Sequence, residues 1–177
     1  MGGGSVRRGL PGGGGVTRAP SFGKLADLAA LAARLEPARR RETVVLANGV
    51  FDLFHVGHLR YLEAAATHGD RLVVAVNDDR STRAAKGADR PVVPEDERAE
   101  ILCGLGCVDH VLLFSEPDVR GILRTLRPDV HAKGTDYTAA TVPERAVQAE
   151  HGGRTVICGD PKDHSSTALV EALARRG

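Results

Sequence analysis

Apolar positions fall into two kinds of run that alternate along the chain. Short β-branched stretches at Thr43–Ala47, Arg71–Val76, His110–Phe114, Asp129–Ala132 and Arg154–Cys158 predict five strands. Between them apolar residues return at three- and four-residue steps, which predicts helices over about 58–67, 95–105, 117–126 and 142–151. A first helix is expected from Lys24 to about Leu35, carried by Leu25, Leu28, Leu31 and Leu35 with Ser21 as its cap, and a last one from about Ser166 to Arg175. Strands alternating with helices predict an α/β fold: a Rossmann-like, doubly wound parallel sheet of about five strands with helices on both faces. Such sheets bind ligands beyond the carboxyl ends of their strands, where the strand order reverses. Chemistry is therefore expected directly after strands.

Composition narrows the picture. At 177 residues there is room for one domain, expected over residues 21–177, and a 42% hydrophobic content supplies its core without disulfides. Residues 1–20 carry two glycine runs, two prolines and scattered arginines, and are expected to be a flexible tail. Gly23-Lys24 resembles the end of a phosphate-binding Walker loop, but Arg18 stands where that loop needs its first glycine and no strand precedes it. A net charge of +1 gives no electrostatic reason to bind nucleic acid or an anionic membrane, so a small ligand is expected. Cys103, Cys107 and Cys158 have no zinc-site spacing and are read as reduced thiols of a cytoplasmic protein. No apolar run approaches the roughly 20 residues a membrane span needs, and the charges at the N-terminus have no apolar stretch behind them, so no secretory signal is expected.

The most informative stretch follows the first strand: Asn48-Gly49-Val50-Phe51-Asp52-Leu53-Phe54-His55-Val56-Gly57-His58, leading at once into a helix. Gly49 lets the chain turn, and Gly57 opens the helix where backbone must approach a ligand. His55 and His58 are one helical turn apart, so both rings can face one point near a helix N-terminus, where free N–H groups and the helix dipole favour an anion. Two imidazoles there form a phosphate grip, donors in place for charge building on a reacting phosphorus. A metal site is the rival, but the spacing is not HExxH and no third ligand is nearby.

This segment resembles the signature of the cytidylyltransferase-like nucleotidyltransferases. The similarity runs from about Leu25 to the C-terminus and, through Val74-Ala75-Val76-Asn77-Asp78-Asp79, Lys86-Gly87, Arg90-Pro91-Val92 and Lys133-Gly134-Thr135-Asp136-Tyr137, is strongest to the D-glycero-β-D-manno-heptose 1-phosphate adenylyltransferases. The resemblance implies that His55, His58 and Lys86 are catalytic. It implies that Asn48, Gly49, Val50, Phe51, Gly57, Arg90 and Lys133 bind nucleotide, together with a hydroxyl motif Ser165-Ser166-Thr167 at the start of the last helix. Asp52, Asp78, Arg98 and Asp136 are implied at the substrate, and Asp52 is a candidate to carry magnesium through water or to orient a histidine. Plainer roles stand beside these: a helix cap for the hydroxyls, solvated charge for Lys86 and Arg90 in a loop after the second strand, a surface salt bridge for Arg98, and a turn or cap for Asp52.

The implied reaction joins ATP to a sugar 1-phosphate and releases pyrophosphate, with Mg²⁺ as cofactor and a homodimer expected by analogy. Two alternatives remain open at this point: a CTP-dependent cytidylyltransferase acting on glycerol 3-phosphate or a similar alcohol phosphate, and a nucleotide-binding module without catalysis. The tract Gly159-Asp160-Pro161-Lys162-Asp163-His164 departs from the family pattern, and His164 and Ser166 alter the hydroxyl motif, so a related sugar phosphate stays in view.

Overall fold

A computed structural model of the protein describes residues 23–160 together with residues 166, 170, 171 and 175. The expected 1–20 tail, the Ser21 cap and most of the expected last helix lie outside the described residues. The five strands are β1 (Val44–Gly49), β2 (Arg71–Asn77), β3 (His110–Phe114), β4 (Val130–Gly134) and β5 (Arg154–Cys158), all parallel in the order β3-β2-β1-β4-β5. Each falls on an apolar run seen in the sequence.

Successive strand residues point to opposite faces, and this alternation divides the core in two. Val45, Ala47, Val74, Val76, Val111, Val130 and Ala132 face one side. They pack on Tyr61, Leu62 and Ala65 of α2 (Val56–Ala66) and on Ala99 and Leu102 of α4 (Glu95–Gly104). Val44, Leu46, Val73, Ala75 and Leu112 face the other side. There they meet Leu31 and Leu35 of α1 (Leu28–Leu35), Ile122, Leu123 and Leu126 of α5 (Arg120–Leu126), and Val147 of α6 (Arg145–Ala149). A sheet buried on both faces explains why the strands read as unbroken apolar runs. Aspartates just ahead of strands tie down the opposite edge: Asp70, Asp109 and Asp129 accept the N–H groups of Thr43, Leu72 and Val44 at 2.8–2.9 Å.

Two expectations change. α1 begins at Leu28, not Lys24, because Asp27 caps it by accepting Ala30 N–H at 2.8 Å, while Leu25 bridges to Val111 beside β3. The segment after β2 is no loop but a further helix, α3 (Asp79–Lys86), capped by Asp78, which accepts Ser81 N–H at 2.6 Å. Among the described residues no helix is long and apolar enough to cross a membrane.

The chain winds outward from β1 through β2 to β3, then returns to place β4 and β5 on the other side of β1. The strand order thus reverses between β1 and β4. A crevice at their carboxyl ends is where this class of sheet receives a ligand.

Candidate active site

A cavity of about 410 Å³ opens at that reversal point. Its lining includes Asn48, Gly49, Val50 and Phe51 from the end of β1, His55, Gly57 and His58 from the start of α2, Lys86 from the end of α3, and Lys133 and Asp136 from the end of β4.

The β1–α2 connection is held in an uncommon shape. Phe51 and Leu53 adopt φ of 54° and 49°, a region that side chains rarely occupy unless surrounding contacts enforce it. A Cβ on Gly49 would lie 3.2 Å from the Phe51 ring, so the glycine makes room for that ring to turn under the histidines. His55 is the N-cap of α2, but its side chain makes no capping bond. Its ring instead stacks on His58, centroids 3.8 Å apart and planes 20° from parallel. Phe51 meets the His58 ring at 5.4 Å and 67°, and Phe54 lies 5.5 Å away. Burial in this apolar wall, then the charges of His55 and Lys86, push His58 down to about 4 despite Asp52, so it is neutral at physiological pH.

The carboxylate of Asp52 is occupied by protein. Its side chain is 0% exposed, it accepts Val92 N–H at 3.1 Å and Val93 N–H at 3.0 Å, and Arg90 pairs with it at 2.8 Å. Burial alone would raise this carboxyl, but those two N–H bonds, with Arg90 and Arg98, hold it below the usual value. Asp52 thus pins the 90–93 segment to the cavity loop, and it also lines the cavity and acts on the charge of His58. Arg90, expected at the nucleotide, is committed to Asp52 and does not line the cavity. Arg98, expected near the phosphates, has a fully buried side chain that lies outside the cavity lining. It donates to the carbonyls of Val50 at 2.6 Å, Asn77 at 2.8 Å and Val93 at 2.9 Å, and pairs with Asp79 at 2.7 Å. It is a hub joining the ends of β1 and β2 to α3 and α4. Asp78, expected at the substrate, has its carboxylate engaged as the α3 cap.

Lys86 sits at the C-terminal end of α3, so a helix rather than a loop delivers it to the cavity. Ser166 also lines the cavity and donates its hydroxyl to the Asp52 carbonyl at 2.7 Å; Ser165 and Thr167 lie outside the described residues. Lys133 lies 3.3 Å from Asn48 Oδ1, 3.7 Å from Glu144 Oε2 and 4.8 Å from the Tyr137 ring centroid. Burial lowers the Lys133 ammonium while Glu144 opposes that shift.

Several features of the site escaped sequence reasoning. His131 pairs with Asn48 and Glu144 with Lys133; nothing in their local sequence marks either as part of the site. Arg60, two residues past His58, reaches over the cavity rim to Asp160 at 2.7 Å, and Thr135 donates to the Asp160 carbonyl at 2.8 Å. Among the described residues no group of three or more His, Cys, Asp and Glu side chains is arranged to hold a metal ion.

Comparison with known proteins places the chain in a family. Residues 46–172 match the family model described as cytidylyltransferase-like. The chain is similar to the bifunctional protein HldE of Syntrophotalea carbinolica, 44% identical over 80% of this chain and 29% of the relative. It is also similar to that of Geotalea uraniireducens, 43% identical over 86% of this chain and 31% of the relative. The chain thus spans about three tenths of the length of these relatives. Among solved structures, a lipopolysaccharide core biosynthesis protein from Thermoplasma volcanium matches with a TM-score of 0.60 and 29% identity, covering 68% of this chain and 99% of that one. A pantoate-beta-alanine ligase from Francisella tularensis shares the fold, with a TM-score of 0.53 and 14% identity over 85% of this chain and 76% of that one.

Proposed function

We propose that this chain, which belongs to the cytidylyltransferase-like family of nucleotidyltransferases, transfers AMP from ATP to a sugar 1-phosphate, D-glycero-β-D-manno-heptose 1-phosphate or a close relative. The observation that carries this reading is the stacked His55–His58 pair at the N-terminus of α2, opening into a cavity that Lys86 also lines. The similarity to HldE proteins and to a lipopolysaccharide core biosynthesis protein supports a sugar phosphate as the acceptor.

In this reaction a phosphate oxygen of the sugar 1-phosphate attacks the α-phosphorus of ATP in line. A new P–O bond forms, the bond between the α-phosphorus and the bridging oxygen breaks, and pyrophosphate leaves with that oxygen. A phosphate monoester is already ionised at neutral pH, so the step needs no general base. Catalysis rests on positioning and on donors aimed at the charge that develops. His55 and His58 supply those donors on the α2 side and Lys86 supplies a cation from α3, while the first-turn N–H groups of α2 add a partial positive charge. Magnesium enters this reading only as the counter-ion that ATP brings with it.

The test is pyrophosphate release from ATP and from CTP, each with a panel of sugar 1-phosphates and with glycerol 3-phosphate. Turnover with ATP and the heptose phosphate is expected. Turnover with CTP but not ATP would transfer the protein to the cytidylyltransferases, and calorimetric nucleotide binding without any turnover would make it a binding module.

A further inference from the structure

The Asn48 carboxamide sits at the end of β1, within the cavity lining, and its orientation follows from its neighbours. An ammonium has only N–H bonds to offer, so the atom that Lys133 Nζ approaches at 3.3 Å is the carboxamide oxygen and not its NH2 group. The same oxygen lies 3.1 Å from His131 Nε2. Since that oxygen only accepts, His131 must carry its proton on Nε2. Its Nδ1 is then a bare lone pair, and Nδ1 is the buried ring nitrogen that has no hydrogen-bond partner among the described residues. Leaving an acceptor unmet there costs less than orphaning a buried N–H.

We infer that His131 and Lys133 are positioning residues: together they fix the Asn48 carboxamide by its oxygen, so that its NH2 group is presented to the cavity as a hydrogen-bond donor for an acceptor atom of the bound nucleotide. Lys133 is held for this task by Glu144 on one side and the Tyr137 ring on another, which makes its ammonium an internal post rather than a phosphate ligand. Glu144 is itself buried, 6% exposed, and joins the same network. Burial, then the charge of Lys133, pushes His131 down to about 3, so the ring stays a neutral donor over the whole working range. The geometry concerns the residues alone, while the ligand's identity rests on the proposed nucleotidyl transfer.

Two arms test this. In the full-length protein, ¹⁵N NMR of the histidine rings should show His131 as the neutral Nε2–H tautomer at pH 7; an Nδ1–H tautomer or a charged ring would overturn the assignment. A double-mutant cycle reads the function. His131→Leu should raise the KM for ATP about 5- to 10-fold, the effect of one hydrogen bond lost, yet change it less than 2-fold in an Asn48→Ala background, because the two residues act as one. Additive effects would overturn the positioning role even if the tautomer is as expected. If His131→Leu does not fold, Lys133→Met replaces it in the cycle with the same expectations. Failure of wild-type protein to bind ATP by calorimetry would instead strike the proposed function, leaving the tautomer to decide the orientation.

Discussion

The imidazoles of His55 and His58 lie face to face, 3.8 Å between ring centroids and 20° from parallel. Two rings this close cannot both carry charge at low cost, and the apolar wall formed by Phe51 and Phe54 leaves His58 little solvent to compensate it. His58, pushed down to about 4, therefore waits as a neutral donor, and an arriving anion supplies the negative charge that makes protonation favourable. The start of α2, where the helix dipole places partial positive charge, adds to that preference.

Removing one ring should cost catalysis and not folding. His58→Ala is expected to lower kcat about 10²- to 10³-fold, the usual loss for one preorganised donor, while its thermal midpoint stays within a few degrees of wild type. Pyrophosphate release and a melting curve on the same preparation check this. Wild-type turnover in the variant would remove His58 from the mechanism.

Lys86 offers a contrasting case because its side chain is exposed at the end of α3. Lys86→Met should leave the urea midpoint unchanged and reduce kcat by about 10², as loss of a fixed cation near the reacting phosphate does. A variant that loses stability but keeps its rate would show that the residue serves α3 alone.

Stability should fall as acid is added, through histidines rather than carboxylates alone. His58 and His131 have folded-state values pushed down to about 4 and about 3, below the ordinary 6.5 that they regain on unfolding. Between those limits the unfolded chain binds more protons, so their contribution is complete above about pH 6.5 and is lost as pH falls toward 4 and then 3. Urea unfolding at a series of pH values should show this slope, and His131→Leu should flatten it. An unchanged slope in that variant would mean that His131 titrates normally.

Arg98→Met should destabilise the protein by about 3–5 kcal/mol, since it strips a fully buried cation from its partners and leaves the carbonyls of Val50, Asn77 and Val93 without their donor. Arg60→Ala, which breaks a half-exposed pair with Asp160, should cost no more than about 1 kcal/mol. Chemical denaturation of the two variants side by side gives the comparison, and equal losses would contradict the hub role of Arg98.

The strands and the histidine loop were legible in the sequence for physical reasons. A parallel sheet buried on both faces forces continuous apolar runs, and a site at the sheet's carboxyl edge forces glycines and histidines directly after β1. Helix α3 was not legible, because only Ser81 and Thr82 of Asp79–Lys86 are buried and no apolar stripe marks it; Asp78, three residues before Ser81, was the capping signal available. Charged residues of the motif were found, but not their partners. Arg98 reaches carbonyls 21 and 48 residues away and Asp52 reaches N–H groups 40 and 41 residues away, distances over which a chain carries no local pattern. That is why Arg98, Arg90 and Asp78 looked like ligands in sequence and stand in the structure as supports, while Asp52 combines a supporting role with a place in the cavity lining.

The most direct measurement is the titration of the histidine ring protons by NMR, with and without a non-hydrolysable ATP analogue. If the pair receives the nucleotide's phosphates, His58 should rise from near 4 by about one unit or more when the analogue binds, and the signals of both His55 and His58 should shift together. An analogue that binds while both rings keep their free-protein titration and shifts would contradict the account at its centre.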